Sequence, residues 1–306
     1  MFWPVLIITL AALLLIILYV CVQLCFSVHS TGRDEPHLPP GKQYLELEKE
    51  IFALVDEAAA LPYEDVYIQS FDGLRLHGKF YAVDKKAPTH IMFHGYRSSA
   101  LLDFGGGLRD TVKNGHNALL VDQRAHAASE GKYLSFGINE SRDCLDWTNY
   151  VNQRCGAEQP VVLQGVSMGA ATVLMASALE LPENVAGILA DCGYSSPEMI
   201  IRHVMKMRHY PSCLFPLLRL GGRLFCGFDI CAGSPAEALK SCKLPVFFIH
   251  GDDDRFVPYE MGLENYNACP TKKFLFTGRG AGHGLSYLKD LDGYRKVYRD
   301  FMDEIL

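Results

Sequence analysis

A chain of 306 residues that is 49% hydrophobic and 21% charged can bury a large core and does not have the composition of a disordered protein. Its formal net charge of −6 and isoelectric point near 6.0 remove the electrostatic footprint expected of a nucleic-acid binder. Ten cysteines occur with no Cys-x-x-Cys pair, so neither zinc nor thioredoxin-type chemistry is indicated.

From Phe2 to Val28 no side chain is charged, and Val5 to Val22 is nearly unbroken Leu, Ile, Val and Ala. That length suits a single membrane-spanning helix, and residues 1–29 are expected to be a retained anchor. The competing reading is a cleaved signal peptide: Val28 and Ser30 loosely resemble a cleavage site, but nothing basic precedes the apolar run. Arg33, Lys42 and Lys49 all follow the span, so the positive-inside tendency would keep the remainder in the cytoplasm. Cys144, Cys155, Cys192 and Cys242 fall in or beside expected helices and strands, which points the same way; Cys213, Cys226 and Cys231 are the candidates for a disulfide. Residues 30–42, rich in proline and glycine, read as a linker, and residues 43–306 as the folded domain.

The domain opens with an amphipathic helix carrying Tyr44, Leu45, Leu47, Ile51, Leu54 and Val55 at helical spacing and ending before Pro62. Val66 to Ile68 and Leu74 to Tyr81 flank Asp72-Gly73 and predict a hairpin whose turn takes positive φ at both residues. Strands are expected at His90 to Phe93, Ala118 to Asp122, Pro160 to Gln164, Val185 to Ala190, Leu244 to Ile249 and Lys273 to Phe276. Helices are expected at 101–115, despite three central glycines, and at 139–155, with Cys144, Leu145, Trp147, Thr148 and Val151 facing inward. Such alternation implies an α/β fold with a mostly parallel sheet and helices on both faces. Residues 195–241 interrupt it, too long for a strand connection and too apolar for a loop, and predict an inserted helical lid.

Gly165-Val166-Ser167-Met168-Gly169 is a G-x-S-x-G motif between an apolar strand and the small-residue helix at 170–178, the context in which a strained elbow presents a serine hydroxyl at a helix N-terminus. A serine is a weak nucleophile at neutral pH and needs an imidazole to take its proton, with a carboxylate to orient that imidazole. His283, in the glycine-rich stretch 280–284 after the last expected strand, is the candidate base. The acid should follow a strand between the two, and 250–258 (His-Gly-Asp-Asp-Asp-Arg-Phe-Val-Pro) does; Asp191, at the end of another strand, is the fallback.

His-Gly-x-x-Asp-x-x-Val-Pro resembles the acid loop of the α/β-hydrolase superfamily, and on that pattern Asp254 is the triad acid, leaving Asp252 and Asp253 as solvated loop charges. The order Ser167, Asp254, His283 is also the order of that fold. Phe93-His94-Gly95-Tyr96 is similar to the loop that supplies half of the family's oxyanion hole, which implies the backbone amides of Tyr96 and Met168 for that role. The stretch 122–131 looks like the family's Asp-x-Arg-Gly-His-Gly-x-Ser loop, with Ala125 and Ala127 where glycines are usual. The resemblance makes His94, His126 and His250 structural, covers about 67–306, and is nearest to the membrane-anchored monoacylglycerol-lipase, cinnamoyl-esterase and serine-aminopeptidase-like branches.

These readings converge on a serine hydrolase cleaving carboxylic esters without metal or organic cofactor, acting on a small ester that is acyl or lipid-like. A peptidase of the same fold would need carboxylates for a free amino terminus, and the lid offers only Glu198, Asp229 and Glu237. A silent, membrane-tethered binding module would ordinarily lack a triad member. The lid's apolar residues suit an acyl chain, and Arg202, Lys206, Arg208, Arg219 and Arg223 make it basic enough to meet lipid head groups.

Overall fold

The computed structural model describes residues 2–28, 38–39 and 41–306. Most of the expected linker, with Arg33, lies outside the described residues. The strands are β1 (Glu64–Gln69), β2 (Arg75–Tyr81), β3 (Thr89–Phe93), β4 (Asn117–Val121), β5 (Val161–Val166), β6 (Val185–Asp191), β7 (Val246–Gly251) and β8 (Lys273–Gly278). They form one sheet in the order β1-β2-β4-β3-β5-β6-β7-β8, antiparallel where β2 meets β1 and β4 and parallel from β4 through β8. This is the mostly parallel sheet that the alternating sequence predicts.

The helices are α1 (Phe2–Phe26), α2 (Lys42–Ala59), α3 (Ala100–Lys113), α4 (Glu140–Cys155), α5 (Met168–Ala176), α6 (Pro197–Met207), α7 (Leu214–Gly221), α8 (Pro235–Leu239), α9 (Tyr259–Ala268), α10 (Ser286–Lys289) and α11 (Leu291–Ile305). Successive strand residues point to opposite faces, and here both faces are apolar. On one face Ile91, Leu119, Leu163 and Ile188 pack with Trp147 of α4 and Val173 of α5. On the other, Met92 and Leu120 meet Phe104 and Leu108 of α3, while Val162, Leu189 and Phe247 meet Phe301 of α11.

Three local expectations need adjustment. In the β1–β2 hairpin only Gly73 takes positive φ, 88°, and its amide bonds the Ser70 carbonyl, so the connection is longer than a two-residue turn and one glycine suffices. On α4, Leu145 is only half-buried, while Glu140 and Asp143 are buried because each has hydrogen-bond partners: Glu140 accepts from Ser135 and Gly137, and Asp143 from Arg124. All ten cysteines are free thiols, so the expected candidates Cys213, Cys226 and Cys231 form no disulfide.

The glycines of α3 have packing reasons. A Cβ on Gly105 would come within 3.1 Å of the Leu54 backbone, so this residue lets α2 cross closely; one on Gly106 would sit 2.6 Å from the Tyr287 ring. The insertion between β6 and β7 consists of α6, α7, a π-helical turn (Gly222–Cys226) and α8. Ser196 starts α6 by accepting from the Met199 amide, with Pro197 at the first helical position.

Candidate active site

β5 ends at Val166 and α5 begins at Met168, so Ser167 alone makes the reversal. It does so at φ 55° and ψ −112°, a backbone conformation that costs a non-glycine residue about 1–3 kcal/mol. The surroundings hold it there: its amide donates to the Asp191 carbonyl at 2.8 Å, and the flanking glycines have no room for a side chain. A Cβ on Gly169 would overlap the Phe93 carbonyl, and one on Gly165 the backbone of Gly169.

The Ser167 hydroxyl lies 2.9 Å from His283 Nε2, and His283 Nδ1 lies 2.7 Å from Asp254 Oδ2. Asp254 Oδ1 accepts from the Phe256 and Val257 amides, 2.9 Å each, so the turn after β7 fixes both carboxylate oxygens. Burial opposes the Asp254 charge, but His283 and His250 outweigh it and hold the carboxyl well below the usual range. Burial likewise opposes the His283 imidazolium, and Asp254, with Asp191 and Asp103 adding, overcomes it, so the net shift is upward. A fixed serine–imidazole–carboxylate chain of this kind can pass a proton from the hydroxyl to Nε2 while the carboxylate selects the tautomer.

The fallback acid stands apart. Among the described residues Asp191 forms no bond to His283 and its Oδ1 has no partner, and burial pushes its carboxyl up to about 7. Of the neighbouring aspartates, Asp252 accepts from the Gly280 amide at 2.6 Å and Asp253 from Gln43 at 2.8 Å. Neither bonds the imidazole.

The loop after β3 lies against the elbow: a Cβ on Gly95 would be 3.3 Å from that of Ser167. The Gly95 amide and the Ser98 hydroxyl both donate to half-buried Asp103, at 2.6 Å each, which ties this loop to the first turn of α3. Gly95, one residue before Tyr96, thus lies against Ser167, and Met168 follows Ser167 in the chain. His94, His126 and His250 all bond main-chain atoms: His94 the Gly95 carbonyl and Gln123 amide, His126 the Arg124 carbonyl and Arg97 amide, His250 the Val257 carbonyl. In the loop after β4, Ala125 and Ala127 adopt φ 64° and 44°. The backbone thus keeps a glycine-like path with alanines in it, held by buried Arg124, which forks onto Asp143 at 2.6 Å through each nitrogen and reaches Asp72.

Sequence reasoning missed three contributors. Gln43, which the sequence did not single out, and Tyr44, read only as part of an amphipathic helix, clasp the histidine loop: Gln43 Oε1 accepts from the Gly282 amide at 2.7 Å, and the Tyr44 hydroxyl donates to the His283 carbonyl at 2.6 Å. The C-terminal end of α1 meets the loop after β3: the Tyr96 hydroxyl donates to the Cys25 carbonyl, and the Arg97 guanidinium to those of Leu24 and Ser27. No periodicity reveals such contacts; a glutamine and a tyrosine at a helix start are the only trace. The lid also differs in part from expectation. Ile200, Ile201, Phe215, Leu218 and Phe228 are buried in one cluster with Met168, whereas Leu220, Leu224 and Phe225 are exposed. Its cations are partly neutralised, Arg202 by Glu198 and both Arg219 and Arg223 by Asp229.

No family model matches the chain. It is 26% identical over 193 residues to "Uncharacterized protein YqkD" of Bacillus subtilis, covering 62% of this chain and 63% of that one. The chain spans less than two thirds of the length of the curated relatives it matches. Among solved structures it is similar to the Pyrococcus furiosus esterase Pf2001, with TM-score 0.63 and 21% identity over 89% of this chain and 99% of that one. It is similar also to the Pyrococcus horikoshii acylaminoacyl peptidase, with TM-score 0.58 and 16% identity over 80% of this chain and 41% of that one.

Proposed function

Because this chain has the α/β-hydrolase fold, we propose that Ser167, His283 and Asp254 act as the nucleophile, base and acid of a serine hydrolase that cleaves carboxylic esters. The observation that carries the reading is the hydrogen-bonded chain from the Ser167 hydroxyl through His283 to Asp254, at 2.9 and 2.7 Å. The serine oxygen attacks the ester carbonyl as His283 Nε2 takes its proton. The oxyanion formed is met by the Met168 and Tyr96 amides and the N-terminal dipole of α5. His283 then returns the proton to the leaving alcohol, and water releases the acyl group from Ser167 by the same relay in reverse. A peptidase is the weaker reading: the lid carboxylates that could bind an amino terminus are each ion-paired, Glu198 with Arg202, Asp229 with Arg219 and Glu237 with Lys240.

Only neutral His283 can act as base, so its raised pKa removes active enzyme as pH falls. The acid limb of kcat/KM against pH should therefore have its midpoint above about 6.5, the ordinary imidazole value. A midpoint at or below that value would contradict the Asp254 pairing.

The acyl preference is tested by p-nitrophenyl esters from acetate to octanoate. Apolar lid residues surround Met168, beside the nucleophile, and each methylene buried there can contribute up to roughly 0.8 kcal/mol. Rates should climb to medium chains; a flat or falling series would assign the lid a packing role alone. Cleavage of aminoacyl anilides without any ester cleavage would select the peptidase reading.

We also take α1 to be a retained membrane anchor. Its 25 residues are long and apolar enough to span. Its last turns are built into the domain: Leu18, Val22 and Phe26 are buried, Phe26 packs edge-on against Phe136 and Phe228, and its carbonyl accepts from the Leu134 amide at 2.9 Å. Cleavage near Val28 would strip this face, as it would a core.

A further inference from the structure

The lid is fastened to the candidate membrane helix rather than merely near it. Gly221 sits at the crossing of α7 and α1, where a Cβ would lie 2.8 Å from Val22 and 3.1 Å from the Leu18 carbonyl, so the two backbones touch. One turn on, the Phe225 ring packs edge-on against Tyr19 with centroids 5.9 Å apart.

This contact sets a depth. Tyr19 lies seventeen residues beyond Phe2, about 26 Å along a helix rising 1.5 Å per residue, and a bilayer's hydrocarbon core is about 30 Å thick. On the reading of α1 as an anchor, a ring packed on Tyr19 is level with the membrane rather than above it. The residues there have the matching chemistry: Leu220, Leu224 and Phe225 are 42%, 59% and 37% exposed. Arg223 between them is paired with Asp229 yet half exposed, and Arg97 caps the carbonyl end of α1.

We propose, on the reading of α1 as an anchor, that α7 and the π-helical turn after it are immersed in the interfacial layer of the bilayer beside α1. Val22 of α1 and Phe215 and Leu218 of α7 share one apolar cluster with Met168, the residue after the nucleophile. α7 therefore turns Leu220 outward while its buried side packs in the cluster that holds the residue next to the active serine. The substrate class that follows is the acyl ester of a membrane-resident amphiphile, taken from the lipid rather than from water.

The test uses the full chain in phosphatidylcholine vesicles with or without bromine at carbons 6 and 7 of the acyl chain. Trp3 and buried Trp147 are the native fluorophores. In a Trp3→Phe background, where Trp147 gives the unquenched baseline, Phe225→Trp and separately Leu224→Trp place a probe on the lid. An interfacial element sits roughly 5–10 Å into the headgroup–acyl boundary, so brominated lipid should lower the added emission at least about twofold. Quenching of Trp3 in the parent with none at positions 224 and 225 would overturn the proposal and leave the anchor intact. No quenching of Trp3 would overturn both. Blue-shifted but unquenched lid emission would mean that protein, a second copy or another chain, covers the face instead. A second arm dilutes a long-chain p-nitrophenyl ester about tenfold in inert phosphatidylcholine at constant bulk concentration. A substrate drawn from the bilayer loses rate nearly in proportion, by mass action. An unchanged rate would mean access from water, while no hydrolysis in either state would overturn the hydrolase reading itself.

Discussion

Ser167→Ala is expected to lower ester hydrolysis at least about a thousandfold and to abolish labelling by a fluorophosphonate probe. The serine has no substitute within the site: Cys192 Sγ lies 3.9 Å from His283 Nε2, but burial pushes its thiol well up, so no thiolate is available to take over. The probe separates chemistry from folding, because the parent should be labelled at Ser167 and nowhere else in the site. Equal labelling of the alanine variant would refute the nucleophile. An unlabelled, inactive parent would support the silent binding module in its place.

The second large effect divides the carboxylates. Asp254→Asn should cut kcat by about a thousandfold or more, because an amide no longer stabilises the imidazolium and favours the wrong tautomer. Asp252→Asn and Asp253→Asn should each lose less than about tenfold, since an asparagine oxygen can still accept from Gly280 or Gln43. Asp191→Asn should be mild as well, its carboxyl being raised to about 7 and unbonded to His283. A severe Asp191→Asn beside a mild Asp254→Asn would transfer the acid to β6 and remove the carboxylate from the proposed relay.

The sheet and most helices were legible because their signals are local. Short, continuously apolar runs such as 118–121 read as strands with two covered faces, and the elbow is written in five residues because overlap with Phe93 and with its own turn excludes side chains at both glycines. Ser167 and His283 each follow a strand in a turn whose composition is unusual, so each could be named as a candidate from its neighbours, whereas choosing Asp254 among three adjacent aspartates needed the family resemblance. Tertiary structure decided the rest. Ala125 and Ala127 have no intrinsic reason to take positive φ; burial of Arg124 between Asp72 and Asp143 imposes it. Gln43 reaches Gly282 and Tyr44 reaches His283, each across 239 residues, and Arg97 reaches back about 70 to the end of α1. Whether the apolar lid residues faced core or surroundings was likewise undetermined in the sequence, since a leucine at 218 and one at 220 have the same composition and differ only in direction. Helical rotation on α7, fixed where Gly221 admits α1, buries the first and exposes the second.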